Sequence, residues 1–207
     1  MSKLKYFVQQ SWLLLVSSFF FGLLIAVTNA ALSGRIEQNR VAKLNTLTKA
    51  LLPEAERFQP LDADIEVQLP DGSKEKATIF QAFSGDNQRV GWSFNAHGTG
   101  FVGPIELVVA VDKDFQKLMG FNVLASSETP GFGDQIKADY YRRQFINAPA
   151  DKLMLVKTGS AAAVDSQIVA ITGATVSSQA VVNIVNTFLT QIKSQIQEKG
   201  LVGHVRQ

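Results

Sequence analysis

The chain has 207 residues, of which 46% are hydrophobic, and a formal net charge of +2. This size allows one ordinary domain with an accessory segment, and so small a charge, spread along the chain, argues against nucleic-acid binding. The absence of cysteine excludes disulfides, iron–sulfur clusters and thiolate metal sites. The two histidines, His97 and His204, are far apart, so neither a histidine-rich metal site nor a Ser-His-Asp centre is expected.

An almost continuous apolar run, WLLLVSSFFFGLLIAVTNAAL, occupies residues 12–32. At about 1.5 Å per residue, a helix of this length matches the roughly 30 Å hydrocarbon layer of a bilayer, so we predict a transmembrane helix. Lys3 and Lys5 precede the run, which favours a cytoplasmic location for residues 1–11 by the positive-inside rule. The alternative is a cleaved signal peptide ending near Ala30. Under both interpretations the rest of the chain is exported.

The stretch after the apolar run, residues 33–60, is predicted to be a juxtamembrane helix and linker. Its apolar residues recur at close to a helical period, and the pattern stops at a proline: Ile36, Val41, Leu44, Leu47, Leu51 and Pro53. Residues 61–207 are expected to form the exported domain.

The exported domain has strand and helix patterns in an order typical of an α+β fold. From residue 64 onward, polar and apolar residues alternate about a Pro-Asp-Gly turn, which predicts a hairpin. Further strands are predicted at 89–96, 105–112, 117–126, 152–158 and 166–171, with glycine-rich loops at 97–104 and 127–133 and helices at 134–146 and 177–200. We therefore predict a mostly antiparallel twisted sheet flanked by helices.

The segment VAITGATVSS, residues 169–178, joins the last predicted strand to the last helix. The first backbone N–H groups of a helix have no intrahelical partner and favour an anion beside them. Gly173 and Ala174 allow a phosphate to approach, and hydroxyls are supplied by Thr172, Thr175, Ser177 and Ser178. The same residues also fit a plain helix N-cap, which is the commoner arrangement. The residues alone leave both interpretations open.

TGATVSS resembles the [ST]-G-A-T-x-[ST]-S pattern of an FMN-binding domain. This domain occurs in the G subunit of Rnf (Rsx) ion-translocating electron-transport complexes and in the C subunit of Na⁺-translocating NADH:quinone reductases. Three more features agree in order: the single N-terminal span, the segment GTGFVGPIELVVAVD, and ETPGFGDQI, which is similar to the E-T-P-G-[LF]-G loop of the family. The length favours the Rnf type over the usually longer quinone-reductase type.

The resemblance implies that FMN is bound covalently, through a phosphoester to Thr175, by a separate flavin transferase that uses FAD and releases AMP. It also implies that the cofactor is contacted by the rest of the motif and by the second glycine-rich loop: Thr172, Gly173, Ala174, Val176, Ser177, Ser178, Glu128, Thr129, Pro130, Gly131 and Gly133. One position departs from the pattern. Val169 stands where the family usually has an aspartate, and the nearest acid is Asp165.

By this resemblance the protein is a membrane-anchored flavoprotein component of a redox-driven ion pump in a bacterial inner membrane, with its C-terminal domain on the periplasmic side. The resemblance implies that the FMN relays electrons within a complex that exchanges electrons between reduced ferredoxin and NAD, and that other membrane subunits of the Rnf-type complex carry the remaining cofactors and the ion path. No catalysis by the isolated chain is expected. Two alternatives are a quinone-reductase component of the related type or another exported flavoprotein, and a non-redox binding module in which TGATVSS only caps a helix.

Overall fold

The computed structural model describes residues 2–202, which divide into two compact units, one up to Lys43 and one from Leu44 onward. The first element, α1, is a single helix, Ser2–Leu51. Within it, Gln10–Leu51 is long and apolar enough to cross a membrane. The predicted transmembrane and juxtamembrane helices are therefore one continuous helix.

The second unit is built on a five-stranded antiparallel sheet with the strand order β1-β4-β5-β6-β7. Its strands are β1 (Arg57–Pro60), β4 (Ile79–Phe83), β5 (Arg89–Thr99), β6 (Pro104–Asp112) and β7 (Leu118–Ser126). A separate hairpin pairs β2 (Glu66–Gln68) with β3 (Lys74–Lys76), and a short parallel pair joins β8 (Met154–Val156) to β9 (Gln167–Val169). The helical segments are α2 (Asp139–Arg142), α3 (Thr175–Glu198) and two 3₁₀ turns, Gly133–Lys137 and Arg143–Phe145.

One face of the sheet forms the main core with α3. Alternate residues of β5, such as Trp92 and Phe94, point to this face because side chains along a strand alternate between its two sides. Helix α3 contributes apolar residues at steps of three and four, which place them on a single stripe: Val181, Val185, Phe188, Ile192 and Ile196. This packing fixes the start of α3 relative to the sheet.

The opposite face of the sheet is covered by the last turns of α1 and the residues after it. Leu52 and Ala55 are buried against Ala82 and Ala110. The side-chain amide of Asn122 donates a hydrogen bond of 2.9 Å to the backbone oxygen of residue 47, where the helix passes over the sheet. The α+β class and the mostly antiparallel sheet are thus confirmed.

Three local predictions differ from the structure. The stretch predicted as one helix, 134–146, is helical but divided into short segments, two 3₁₀ turns and α2, because Ala138 is extended and interrupts it between the buried residues Ile136 and Tyr141. Residues 57–60, assigned to the linker, form β1 and pair with β4. Strand β5 continues to Thr99, pairing with β6, where the sequence predicted a loop.

Candidate functional site

The two motifs singled out in the sequence meet in one cleft of about 400 Å³. Its walls come from three segments that are far apart in the chain: Phe101 in the β5–β6 loop, residues 128–133 after β7, and residues 173–177 at the start of α3. Of the predicted site residues, Glu128, Thr129, Gly133, Gly173, Ala174, Thr175, Val176 and Ser177 line it.

The TGAT turn leaves the start of α3 open towards this cleft. Gly173 has φ +82°, a backbone conformation that other residues adopt only with strain, and nothing lies within 4 Å of the place where a side chain would project. Ala174 is the N-cap of the helix and provides no side-chain cap. The interpretation of this motif as a hydroxyl N-cap is therefore wrong.

The first turn of α3 offers hydrogen-bond donors that the helix itself does not use. The backbone N–H of Ser178 reaches the carbonyl of Ala174 at 2.9 Å, whereas the N–H groups of residues 175–177 precede the first intrahelical acceptor. Thr175 is exposed at this point. An accessible hydroxyl thus lies next to N–H groups that favour an anion.

The two serines of the motif are buried and serve the structure. The Ser178 hydroxyl donates to the carbonyl of Ala174 at 2.9 Å and accepts from the N–H of Ile171 at 3.0 Å. The backbone carbonyl of Ser178 accepts a hydrogen bond of 3.0 Å from the Tyr141 hydroxyl, whose pKa is raised by burial. The Ser177 hydroxyl donates to Glu128. The exposed hydroxyls of the motif are those of Thr172 and Thr175.

Glu128 lies in the cleft wall and is only 6% exposed. Its carboxylate accepts hydrogen bonds from the Ser177 hydroxyl and, at 3.0 Å, from the N–H of Val102. Burial acts to raise the pKa of Glu128, but hydrogen bonds from Ser177 and from the backbone of residues 101–103 outweigh it and hold the pKa below the usual glutamate value. The carboxylate is therefore ionised at neutral pH.

The glycine-rich loop at 128–133 is a tight turn. The carbonyl of Thr129 accepts from the N–H of Phe132 at 3.2 Å and from that of Asp134 at 3.3 Å, and the Asp134 carboxylate accepts from the N–H of Gly131 at 2.7 Å. Pro130 and Gly131 are exposed at its tip and do not line the cleft.

Two aromatic residues of the cleft were missed in the sequence. Phe101 and Phe132 are 70% and 62% exposed, and Val176 adds a third exposed apolar side chain. The available signal was a phenylalanine inside each glycine-rich loop, in GTGF and PGF. Large apolar side chains left in solvent around a cleft are typical of ligand or partner sites.

His97 does not belong to this cleft. Its Nε2 lies 3.2 Å from Glu75 Oε2, and its ring contacts that of Phe188 with the centroids 5.6 Å apart. It lines a second cavity of about 510 Å³ between the β2–β3 hairpin and α3.

The family of FMN-binding domains matches residues 100–190, which contain all three segments of the cleft. The G subunit of the proton-translocating ferredoxin:NAD(+) oxidoreductase complex of Clostridium ljungdahlii is 30% identical over 179 residues, covering 86% of this chain and 88% of that protein. The chain belongs to the Rnf G-subunit family. Another member of this Rnf family, the G subunit of the ion-translocating oxidoreductase complex of Methanosarcina acetivorans, is 27% identical over 172 residues, covering 83% of this chain and 87% of that one.

Solved structures share the fold of this Rnf family member. The crystal structure of NqrC from Shewanella oneidensis matches with a TM-score of 0.57 and 21% identity, covering 70% of this chain and 72% of that one. The C subunit of the Na(+)-translocating NADH-quinone reductase of Parabacteroides distasonis matches with a TM-score of 0.53 and 19% identity, covering 77% and 95%. With its one apolar N-terminal helix among the described residues, the chain is a membrane-anchored member of the Rnf G-subunit family.

Proposed function

We propose that this chain carries electrons through an FMN attached to Thr175 by a phosphoester, as one component of an Rnf-type ion-translocating complex. The observation that carries the proposal is the meeting of the TGAT turn and the ETPGFG loop in one cleft, with the Thr175 hydroxyl exposed at the start of α3. Relatives named as parts of ferredoxin:NAD(+) oxidoreductase complexes support the redox assignment.

The residues of the cleft fit both ends of an FMN molecule. The phosphate end suits the unused N–H groups of residues 175–177, and Gly173 leaves space beside them. The flat ring suits the exposed faces of Phe101 and Phe132, since aromatic rings stack on one another. A cleft of about 400 Å³ is within the usual range of roughly 300–1,000 Å³ for small-ligand sites.

The attachment requires Thr175 to act as a nucleophile. Its Oγ1 forms a bond to the FMN phosphorus of FAD, the bond from that phosphorus to the bridging oxygen breaks, and AMP leaves with the bonding electrons. The hydroxyl proton passes to a base of the flavin transferase. Ser177 and Ser178 are buried and hydrogen-bonded, so they do not compete for this reaction.

Once attached, FMN supplies reversible uptake and release of electrons, a chemistry that ordinary protein side chains do not provide. The chain binds the phosphate end, covers the ring and anchors the domain to the membrane through α1. Lys3 and Lys5 favour a cytoplasmic N-terminus, which supports a periplasmic location for the domain. The remaining membrane subunits of the complex would supply the other cofactors and the ion path.

Co-expression of the full chain with a flavin transferase tests the proposal. We expect the intact mass to rise by that of FMN minus one water, with a fluorescent band in a denaturing gel. Thr175→Ala should abolish both signals, whereas the matched control Thr158→Ala, at an exposed threonine outside the motif, should keep them. A wild-type chain without the added mass, or a Thr175→Ala chain that retains it, would overturn the covalent assignment.

A further inference from the structure

We infer that Glu128 is a positioning residue, whose carboxylate connects the loop that carries Phe101 to the first turn of α3 and so holds Phe101 in the wall of the cleft that Thr175 also lines. The inference deepens the proposed function and rests on it, because Phe101 and Thr175 are the residues proposed to face the flavin ring and to bear its phosphate. It assigns Glu128 a role through its neighbours and not through contact with the cofactor.

The carboxylate joins two other segments of the cleft wall to the loop that carries Glu128. One oxygen, Oε1, accepts the N–H of Val102 at 3.0 Å, and the other, Oε2, accepts the Ser177 hydroxyl on the first turn of α3. The backbone N–H of Glu128 donates to Ser126 Oγ at 3.2 Å, at the end of β7. Hydrogen bonds to a charged acceptor are the stronger kind, so this side chain is a firm link between the segments.

Two glycines leave the space that this carboxylate occupies. A Cβ atom at Gly100 would lie deep inside contact distance of Glu128 Oε1 and 2.7 Å from Ile105 Cδ1. A Cβ atom at Gly133 would similarly overlap Glu128 Oε2 and lie 2.7 Å from Ser177 Oγ. The absence of side chains at these two glycines therefore leaves room for the Glu128 carboxylate between the two glycine-rich loops.

Phe101 needs this link because its own side chain does not hold it in place. Its side chain is 70% exposed, so packing contributes little to its position. The loop is held by its backbone instead: the N–H of Gly100 donates to the carbonyl of Gly103 at 2.8 Å, and the N–H of Val102 binds Glu128. Loss of the carboxylate would remove the link between the Phe101 loop and the first turn of α3.

The first test uses the full chain in detergent without flavin, so that it does not depend on the proposed function. Glu128→Gln has nearly the same shape but no charge, and we expect the Val102 amide to exchange its hydrogen roughly tenfold faster, since a hydrogen bond to a charged group is lost. Ser177→Ala, which cuts the link from the helix side, should speed exchange at the same amide to a smaller extent. Glu54→Gln, at an exposed glutamate, is the matched control.

The second test uses the flavinylated chain and a signal that general loss of stability does not produce. We expect Glu128→Gln to change the visible circular dichroism of the flavin, which reports the asymmetric surroundings of the ring. Because Glu128 acts through Phe101, this change should disappear when Phe101→Leu is already present. The inference is overturned if Val102 exchange matches that of Glu54→Gln, or if the change in dichroism persists in the Phe101→Leu background.

Discussion

The cleft requires glycine at position 133, and Gly133→Ala tests this requirement. The added Cβ would lie 2.7 Å from Ser177 Oγ and 3.0 Å from Glu128 Cβ, whereas ordinary contacts begin at 3.4 Å. Its closest overlap is with Glu128 Oε2, which is a buried oxygen with a hydrogen-bond partner. The Glu128 carboxylate must therefore move away from its position between the two loops.

The cost follows from the hydrogen bonds that this movement breaks. Glu128 accepts from Ser177 and from Val102, and a hydrogen bond to a charged group contributes about 1.5–3 kcal/mol. Loss of both sets an upper limit of about 3–6 kcal/mol. Because the loop at 128–133 has an exposed tip that can shift, we expect a decrease of about 2–4 kcal/mol in the free energy of unfolding.

Urea unfolding of the full chain in detergent, followed by near-ultraviolet circular dichroism, measures this decrease. The control is Gly159→Ala, whose Cβ would meet only methyl groups, Val169 Cγ2 at 3.3 Å and Val156 Cγ2 at 3.5 Å, so we expect a loss below about 1 kcal/mol. If Gly133→Ala destabilises the domain no more than Gly159→Ala, the fold does not depend on the space that Gly133 leaves for the Glu128 carboxylate.

The remaining predictions concern acid stability and maturation. The pKa of Glu128 is below its usual value, so its ionised form stabilises the fold above the unfolded-state pKa, and this contribution is lost as the pH falls through the folded-state pKa. The difference in melting temperature between wild type and Glu128→Gln should narrow from pH 7 to about pH 3, and a constant difference would contradict it. Val169→Asp restores the acid of the family pattern. The side-chain amide of Gln144 accepts from the backbone N–H of residue 169 at 2.8 Å and donates to its carbonyl at 3.2 Å, and these two bonds should keep the strand in place in the variant. We expect faster flavin attachment in a timed transferase assay, and an unchanged rate would show that the transferase does not recognise this acid.

Regular elements were predictable from the sequence because their patterns are local. Trp92 and Phe94 alternate with partly exposed or small residues along β5, and the apolar stripe of α3 has the period of a helix. The stretch 134–146 shows where this fails. Tyr141 and Phe145, four residues apart, fit one face of a continuous helix, whereas Ile136 would point about 140° and 180° away from them and reaches the core from a separate 3₁₀ turn before extended Ala138. Tertiary packing, which the local pattern does not contain, decides between one continuous helix and several short segments.

The candidate site was likewise only partly predictable from the sequence. Thr175 and the two loops were identified by resemblance, because the residues concerned form short motifs of consecutive positions. The role of Glu128 was not predictable, since its partners Val102 and Ser177 are 26 and 49 residues away in the chain. The resemblance placed Glu128 among the cofactor contacts, and only the fold shows that an N–H donor and an O–H donor converge on it.

The order of residues in TGATVSS follows from helix geometry once these partners are known. Successive residues of an α-helix are rotated by about 100° around its axis, so residues two and three positions after Thr175 point about 200° and 300° away from it. Those directions are taken by Ser177, which meets Glu128, and by Ser178, which meets Ala174 and Ile171. The exposed Thr175 side chain, the Ser177 contact with Glu128 and the Ser178 contacts within the turn therefore point in three different directions from a single helical turn. Moving the threonine along the helix by one position would rotate its hydroxyl by about 100° relative to the fixed serines, which supports the proposal that Thr175 is the attachment point.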